Sequence, residues 1–254
     1  MKIDINRVLS ENMKEKFRQY VEEVVRPEFL EKTEYSYIDE YLKRKSLEVS
    51  EKLTEEEKRD IRFFTGYSFR SINALLRDSW SYEVSGRLTL EEKRKNEEMI
   101  HSIDGVMQKM PSLELPFVTY RGVKIDAFSV YSVKKLKDLY HLKGKYLYEQ
   151  SFISTSLKRE ESYFLKDIEN NGFCNIMLQY FIPAFSNDGL LLSTSDITYS
   201  KLQNEFLLNR NALFFVSDVV VSDNSAIIQA VLIPRFIREK VEKEEFESSK
   251  KKAH

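Results

Sequence analysis

Pro116-Phe117-Val118-Thr119-Tyr120-Arg121-Gly122-Val123 is where this chain changes character. Upstream, apolar residues recur at intervals of three and four with charges between them, the period of helices that bury one face. From Phe117 onward they come in short β-branched and aromatic runs bounded by turn residues, the texture of strands. A run of helices followed by a run of strands reads as α+β, not as the alternating order of a parallel α/β sheet.

Working back from that point, Ile100, Ile103, Val106, Met107 and Met110 form one helical stripe stopped by Pro111. Phe69, Ile72, Leu75, Leu76 and Trp80 form another. Thr54-Glu-Glu-Glu57 and Thr89-Leu-Glu-Glu92 each fit a capping box, in which a threonine hydroxyl caps a helix and a glutamate reaches back. Tyr37, Ile38, Tyr41 and Leu42 mark a weaker stripe, and Ile5 to Val25 a longer one ended before Pro27. Working forward, a short helix through Val133, Leu136 and Leu139 is expected to end near Gly144, and Glu160–Ile168 to be helical. Strands are expected at 152–157, 173–182, 189–192, 206–208, 213–221 and 226–233, the last two joined by a Ser222-Asp-Asn-Ser225 turn. The organisation expected is an N-terminal helical extension over 1–50, a catalytic domain over 51–237 and a charged tail over 238–254.

Composition narrows the function. In 254 residues, 40 Lys and Arg offset 41 Asp and Glu, so no strong field favours nucleic acid or an anionic membrane. The single cysteine, Cys174, lies in an apolar run and reads as a small buried hydrophobe; it excludes an intramolecular disulfide and a thiolate metal site. His101, His141 and His254 lack ligand spacing, so no metal is expected. There is no Ser/His/Asp pattern and no Gly-rich phosphate loop. No secretory leader and no apolar run of membrane-spanning length is seen, so a soluble protein is expected.

Three pieces carry the chemistry. Arg121 ends a β-rich run and precedes Gly122; an arginine fork suits phosphate oxygens, and a glycine lets backbone approach a ligand. Ser154-Thr155-Ser156 places three hydroxyls on a strand. Gln203-Asn204-Glu205 follows a polar stretch, 193–202, that reads as a loop, and strand alternation puts Gln203 and Glu205 on one face about 7 Å apart. Taken singly, each also fits a solvated strand edge or a surface ion pair.

In this order, aromatic-Arg-Gly, Phe-Ile-Ser-Thr-Ser and Gln-x-Glu-Phe-Leu-Leu resemble the Arg/Ser-Thr-Ser/Glu class of mono-ADP-ribosyltransferases, which includes the Rho-modifying clostridial exoenzymes and the actin-modifying binary toxins. A fourth piece agrees. Phe64-Thr-Gly-Tyr-Ser-Phe-Arg-Ser-Ile-Asn73-Ala-Leu-Leu-Arg77 resembles the family's N-terminal helix, with Asn73 and Arg77 on one face. The resemblance covers about residues 50–237. It implies a β-sandwich core with helices packed on it, and NAD as co-substrate in a cleft between the helical part and the sheet. Arg121, Gly122, Asn73, Arg77, Thr155 and Ser156 would bind NAD. Ser154 would orient Glu205, and Glu205 would stabilise positive charge on the ribose as nicotinamide leaves. Gln203 at its position goes with amide or hydroxyl acceptors and against arginine. The acceptor implied is therefore asparagine of a host protein, with a Rho-type GTPase as candidate, and Tyr199 and Gln203 would recognise it. The same resemblance implies a monomeric bacterial toxin or effector, a virulence protein secreted or injected to act in the host cytosol, without nucleic acid or stable membrane insertion. Ser200, Leu202 and Asn209-Arg210-Asn211 depart from the Rho-modifying pattern. An NAD glycohydrolase and a catalytically inactive binding module remain alternatives.

Overall fold

A computed structural model describes residues 4–25, 35–77, 88–162, 175–192, 197 and 205–252. Trp80, Cys174, Tyr199, Gln203 and most of the expected 160–168 helix lie outside the described residues.

Among these residues, eight strands hydrogen-bond in the order β2-β7-β8-β4-β1-β3-β6-β5. They are β1 (Phe117–Val123), β2 (Tyr146–Glu149), β3 (Ile153–Ser156), β4 (Ile176–Ile182), β5 (Gly189–Leu191), β6 (Glu205–Leu208), β7 (Ala212–Val221) and β8 (Ala226–Ile233). Pairing is antiparallel throughout except between β4 and β8. β1 and β3 meet at a single register pair, Tyr120 with Ser156. That thin junction lets β3-β6-β5 fold over the other five strands and close a sandwich. The Phe117 and Phe206 rings meet edge to face inside it, 5.0 Å apart.

Alternation along each strand assigns the layers. Phe206 and Leu208 of β6, Leu178 and Tyr180 of β4, Phe214 of β7 and Ile228 of β8 fill the space between the two sheet parts. Leu207 and Leu190, together with Phe152 just ahead of β3, face the opposite way, into a cluster with Ile72, Ile103 and Met107. Those last three come from α4 (Phe69–Leu76) and α5 (Leu90–Gln108). Phe181, Leu213 and Val231 look outward on the far side. There α1 (Glu11–Val24) and α6 (Arg235–Lys252) cover them with Phe17, Val21 and Val241. The order is helices, sheet, sheet, helices.

Both sheet edges are blunted. At β2 the Asn6 side chain donates to Tyr146 O at 2.8 Å and accepts from Tyr146 N at 2.7 Å, replacing a neighbouring strand. At β5, α2 (Tyr35–Ser50) packs against the edge, and Ser46 Oγ donates to Leu191 O at 2.6 Å.

Thr54 and Thr89 form complete capping boxes with Glu57 and Glu92, starting α3 (Glu55–Phe63) and α5. Three local outcomes differ from the sequence reading. The stripe from Ile5 to Val25 is two pieces, a 3₁₀ turn at Ile5–Arg7 and α1, because Ser10 caps α1 by accepting from Met13 N. The helix expected through Val133 to Leu139 is replaced by 3₁₀ segments Ile125–Tyr131 and Leu136–Leu142, separated at Ser132, whose left-handed φ of 62° breaks the run. β2 has no counterpart among the expected strands: it is four residues long, and its pairing with β7 is entirely non-local.

Candidate active site

The site opens where β1, β3 and β6 meet α4. On β3 and β6, Ser154, Ser156 and Glu205 share the face that turns toward the helices, with Ser156 opposite Glu205 in register. Farther along the same face, Leu207 and Phe152 are covered by packed helix. At the Glu205 end that cover gives way to a cavity of about 500 Å³, lined by Asn73, Arg121, Gly122, Ser154, Ser156 and Glu205 among others. The same strand therefore runs from buried apolar core to a part-buried carboxylate at the cavity within a few residues.

Glu205 is held in place. Ser154 Oγ donates to its Oε1 at 2.5 Å, which fixes the carboxylate across the strand pair. Burial pushes the Glu205 carboxyl above its ordinary range; the Ser154 hydrogen bond and the Arg121 charge oppose that shift without cancelling it. Thr155, between the two serines, points the other way and is buried; its Oγ1 donates to Phe206 O at 2.7 Å, tying β3 to β6. Ser156 Oγ accepts from Lys158 N at 3.1 Å and shapes the chain as it leaves β3.

Arg121 lies near the end of β1, opposite Leu178. It lines the 500 Å³ cavity and also a second one of about 330 Å³, between the 3₁₀ segment Ile125–Tyr131 and the β2 end, so the two cavities meet at Arg121 and Gly122. Gly122 N donates to Ser162 O at 2.8 Å.

The helical side comes from α4. Ahead of it the chain makes a π turn, Phe64–Ser68, at which Phe64 packs edge to face on Phe152 at 5.5 Å. Such wide turns are rare and recur at functional sites. Ile72 anchors the apolar side of α4 with no exposure, while Asn73 faces the cavity. Asn73 Nδ2 donates to Phe152 O at 3.3 Å, and its Oδ1 is buried without a protein partner. An orphaned acceptor at a cavity wall is costly unless a ligand or water satisfies it. Arg77, one turn on, lines the second cavity and forms a two-pronged pair with Glu149, Nε to Oε1 at 2.9 Å and Nη2 to Oε2 at 3.0 Å.

Of the residues singled out in the sequence, Arg121, Gly122, Asn73, Ser154, Thr155, Ser156 and Glu205 line one cavity, and Arg77 lines the adjoining one. Sequence reasoning did not single out Glu149 or Tyr120 as site residues, and it placed Phe69 on an apolar helical stripe, whereas Phe69 is exposed at the cavity. Tyr120 and Phe69 also line the larger cavity; both sit inside the motifs quoted for the resemblance, whereas nothing local marks Glu149. Among the described residues, no cluster of His, Cys, Asp and Glu side chains could hold a metal ion. None of their helices is long and apolar enough to cross a membrane.

A sandwich opened at one seam brings an arginine and an oriented carboxylate to one cavity. A family model of the ADP-ribosyltransferase exoenzymes matches residues 35–235, and the chain belongs to that family. It is accordingly an NAD-dependent mono-ADP-ribosyltransferase, with NAD as co-substrate. Solved structures share the fold. The C3 exoenzyme of Clostridium limosum is 22% identical with a TM-score of 0.58, over 81% of this chain and 97% of that one. An ADP-ribosyltransferase toxin from Paenibacillus larvae is 22% identical with a TM-score of 0.58, over 78% of this chain and 96% of that one. A protein from S. aureus, solved with NAD, is 19% identical with a TM-score of 0.57, over 82% of this chain and 98% of that one. A sequence search of curated proteins returned no match.

Proposed function

We propose that this protein is a toxin or effector that transfers ADP-ribose from NAD to a non-arginine side chain of a host protein, with asparagine the favoured acceptor and a Rho-type GTPase the candidate target. The observation that carries the reading is the Ser154–Glu205 pair facing Arg121 across one cavity. The fit to NAD is supported by Asn73, whose buried Oδ1 has no protein partner at the cavity wall.

In this reading Arg121, Asn73 and Arg77 bind the diphosphate and adjoining ribose of NAD, and Gly122 and Ser156 complete the wall. Thr155 acts on the site through the strand pair that it ties. Ser154 orients Glu205, whose carboxylate takes a hydrogen bond from the nicotinamide-ribose hydroxyl. The bond from ribose to nicotinamide breaks, one from ribose to the acceptor atom forms, and the acceptor's proton passes to solvent. A fixed anion where positive charge develops favours the transition state over the ground state, as carboxylates do in glycoside hydrolysis. Gln203 is a neutral amide and cannot serve as a base toward guanidinium; it pairs with an amide acceptor in both directions. With Tyr199, it forms the acceptor-recognition part of the proposal.

The test is incubation with labelled NAD and host lysate, followed by mass spectrometry of modified proteins. Label on asparagine of a small GTPase supports the reading. Label on arginine overturns the acceptor assignment, and free ADP-ribose with no labelled protein makes the enzyme a glycohydrolase.

A further inference from the structure

The connection Glu149-Gln150-Ser151-Phe152 touches the α4 side of the cleft twice. Phe152 O accepts from Asn73, and the Glu149 carboxylate takes the Arg77 guanidinium in two hydrogen bonds. Asn73 and Arg77 are one helical turn apart, so one short connection sets both the height and the rotation of the cavity-facing side of α4. Glu149 is itself braced. Ser151 N donates to its Oε1 at 3.0 Å and Ser151 Oγ at 2.8 Å, and Ser151 is fully buried. Burial pushes the Glu149 carboxyl upward, but the Arg77 hydrogen bonds and charge, the Ser151 amide and the Arg121 charge outweigh it and hold it below its ordinary range. The carboxylate is thus charged, hydrogen-bonded on both sides and paired with an arginine that lines a cavity sharing Arg121 and Gly122 with the one beside Glu205.

We infer that Glu149 is a positioning residue for NAD binding: braced by Ser151, it fixes the Arg77 guanidinium at the cavity wall so that the diphosphate meets an ordered cation. The inference rests on the proposed placement of NAD along Arg121, Asn73 and Arg77. An arginine at a helix end otherwise spreads over many rotamers, and ordering it in advance removes that cost from binding. Because the diphosphate is held equally before and after nicotinamide departs, the effect belongs in substrate affinity more than in turnover.

The experiment measures, on the full chain, Kd for NAD by titration calorimetry, KM and kcat for nicotinamide release, and Tm. Glu149→Gln is expected to raise Kd and KM by about tenfold while kcat stays within about twofold. In an Arg77→Met background the same change is expected to add nothing further, since its effect passes through the guanidinium. An unchanged or lowered KM, or an equal rise in the Arg77→Met background, overturns the inference. So does a fall in kcat matching the rise in KM. Should Glu149→Gln fail to fold, Glu149→Asp carries the test: it keeps the charge, shortens the reach, and is judged by the same outcomes. Arg121→Lys and Glu205→Gln run alongside. If they impair NAD binding or turnover and the Glu149 variants do not, this inference alone fails; if they too change nothing, the placement of NAD fails.

Discussion

Glu205 answers to two opposed demands. Its proposed role needs an ionised carboxylate, yet its burial favours the protonated form. Ser154 and Arg121 are the groups that pull it back toward ionisation. Three outcomes follow at this scale. Glu205→Gln is expected to lower the rate of nicotinamide release by about 10²–10³ or more, the scale for one preorganised electrostatic group. Its effect on stability runs the other way. A carboxyl whose folded pKa is raised stabilises the fold below its unfolded pKa and loses that contribution as pH rises through the folded pKa. At neutral pH the ionised side chain is therefore a penalty, and Glu205→Gln should melt at or above the wild-type temperature, with the gain shrinking in acid. The third outcome concerns the pH dependence of the rate. The acid limb of the rate profile should lie above the usual glutamate range, and Ser154→Ala should move it higher still by removing a bond that favours the charged form. A limb that stays in place in the Ser154→Ala protein would show that the hydroxyl does not act through Glu205.

Among the elements, the helices that begin with Thr54 and Thr89 were legible because a capping box is complete within four residues. The strands with long apolar runs were legible because their pattern, too, is local. β2 was not: four residues whose only pairing among the described residues is with β7, more than sixty positions away, leave no local period to read. Close packing between elements is equally invisible in a sequence. At Gly189, where β5 pairs with β6, a Cβ would come within 2.4 Å of the Phe206 ring and 2.9 Å of Leu207 O. Gly189→Ala is therefore expected to cost about 1–3 kcal/mol, the usual range for overpacking, read as a lowered urea midpoint with unchanged slope. A variant as stable as wild type would mean that β5 shifts freely.

In the whole molecule, the helical layers have separate duties. α4 faces the cleft, whereas α1 and α6 cover the opposite side of the sandwich. Phe17 is fully buried there against Tyr146, with ring centroids 6.0 Å apart. Phe17→Ala should cost about 3–5 kcal/mol of stability, measured by urea unfolding, and leave KM for NAD unchanged below the melting point. A rise in KM would show that the α1 layer is coupled to the cleft.

By itself the sequence determined the α+β order, the helix starts at Thr54 and Thr89, most strands and a set of chemistry-bearing side chains, because each is written in spacings of a few residues. Arg121, Ser154 and Glu205 were nameable in advance because their motifs are short and contiguous. Tertiary structure alone decided that the sandwich turns at the Tyr120–Ser156 pair, that the two cavities share Arg121 and Gly122, and that Glu149 holds Arg77. Those facts depend on pairings between residues tens of positions apart. Burial, which pushes the Glu205 carboxyl upward, likewise exists only once distant segments have closed around it.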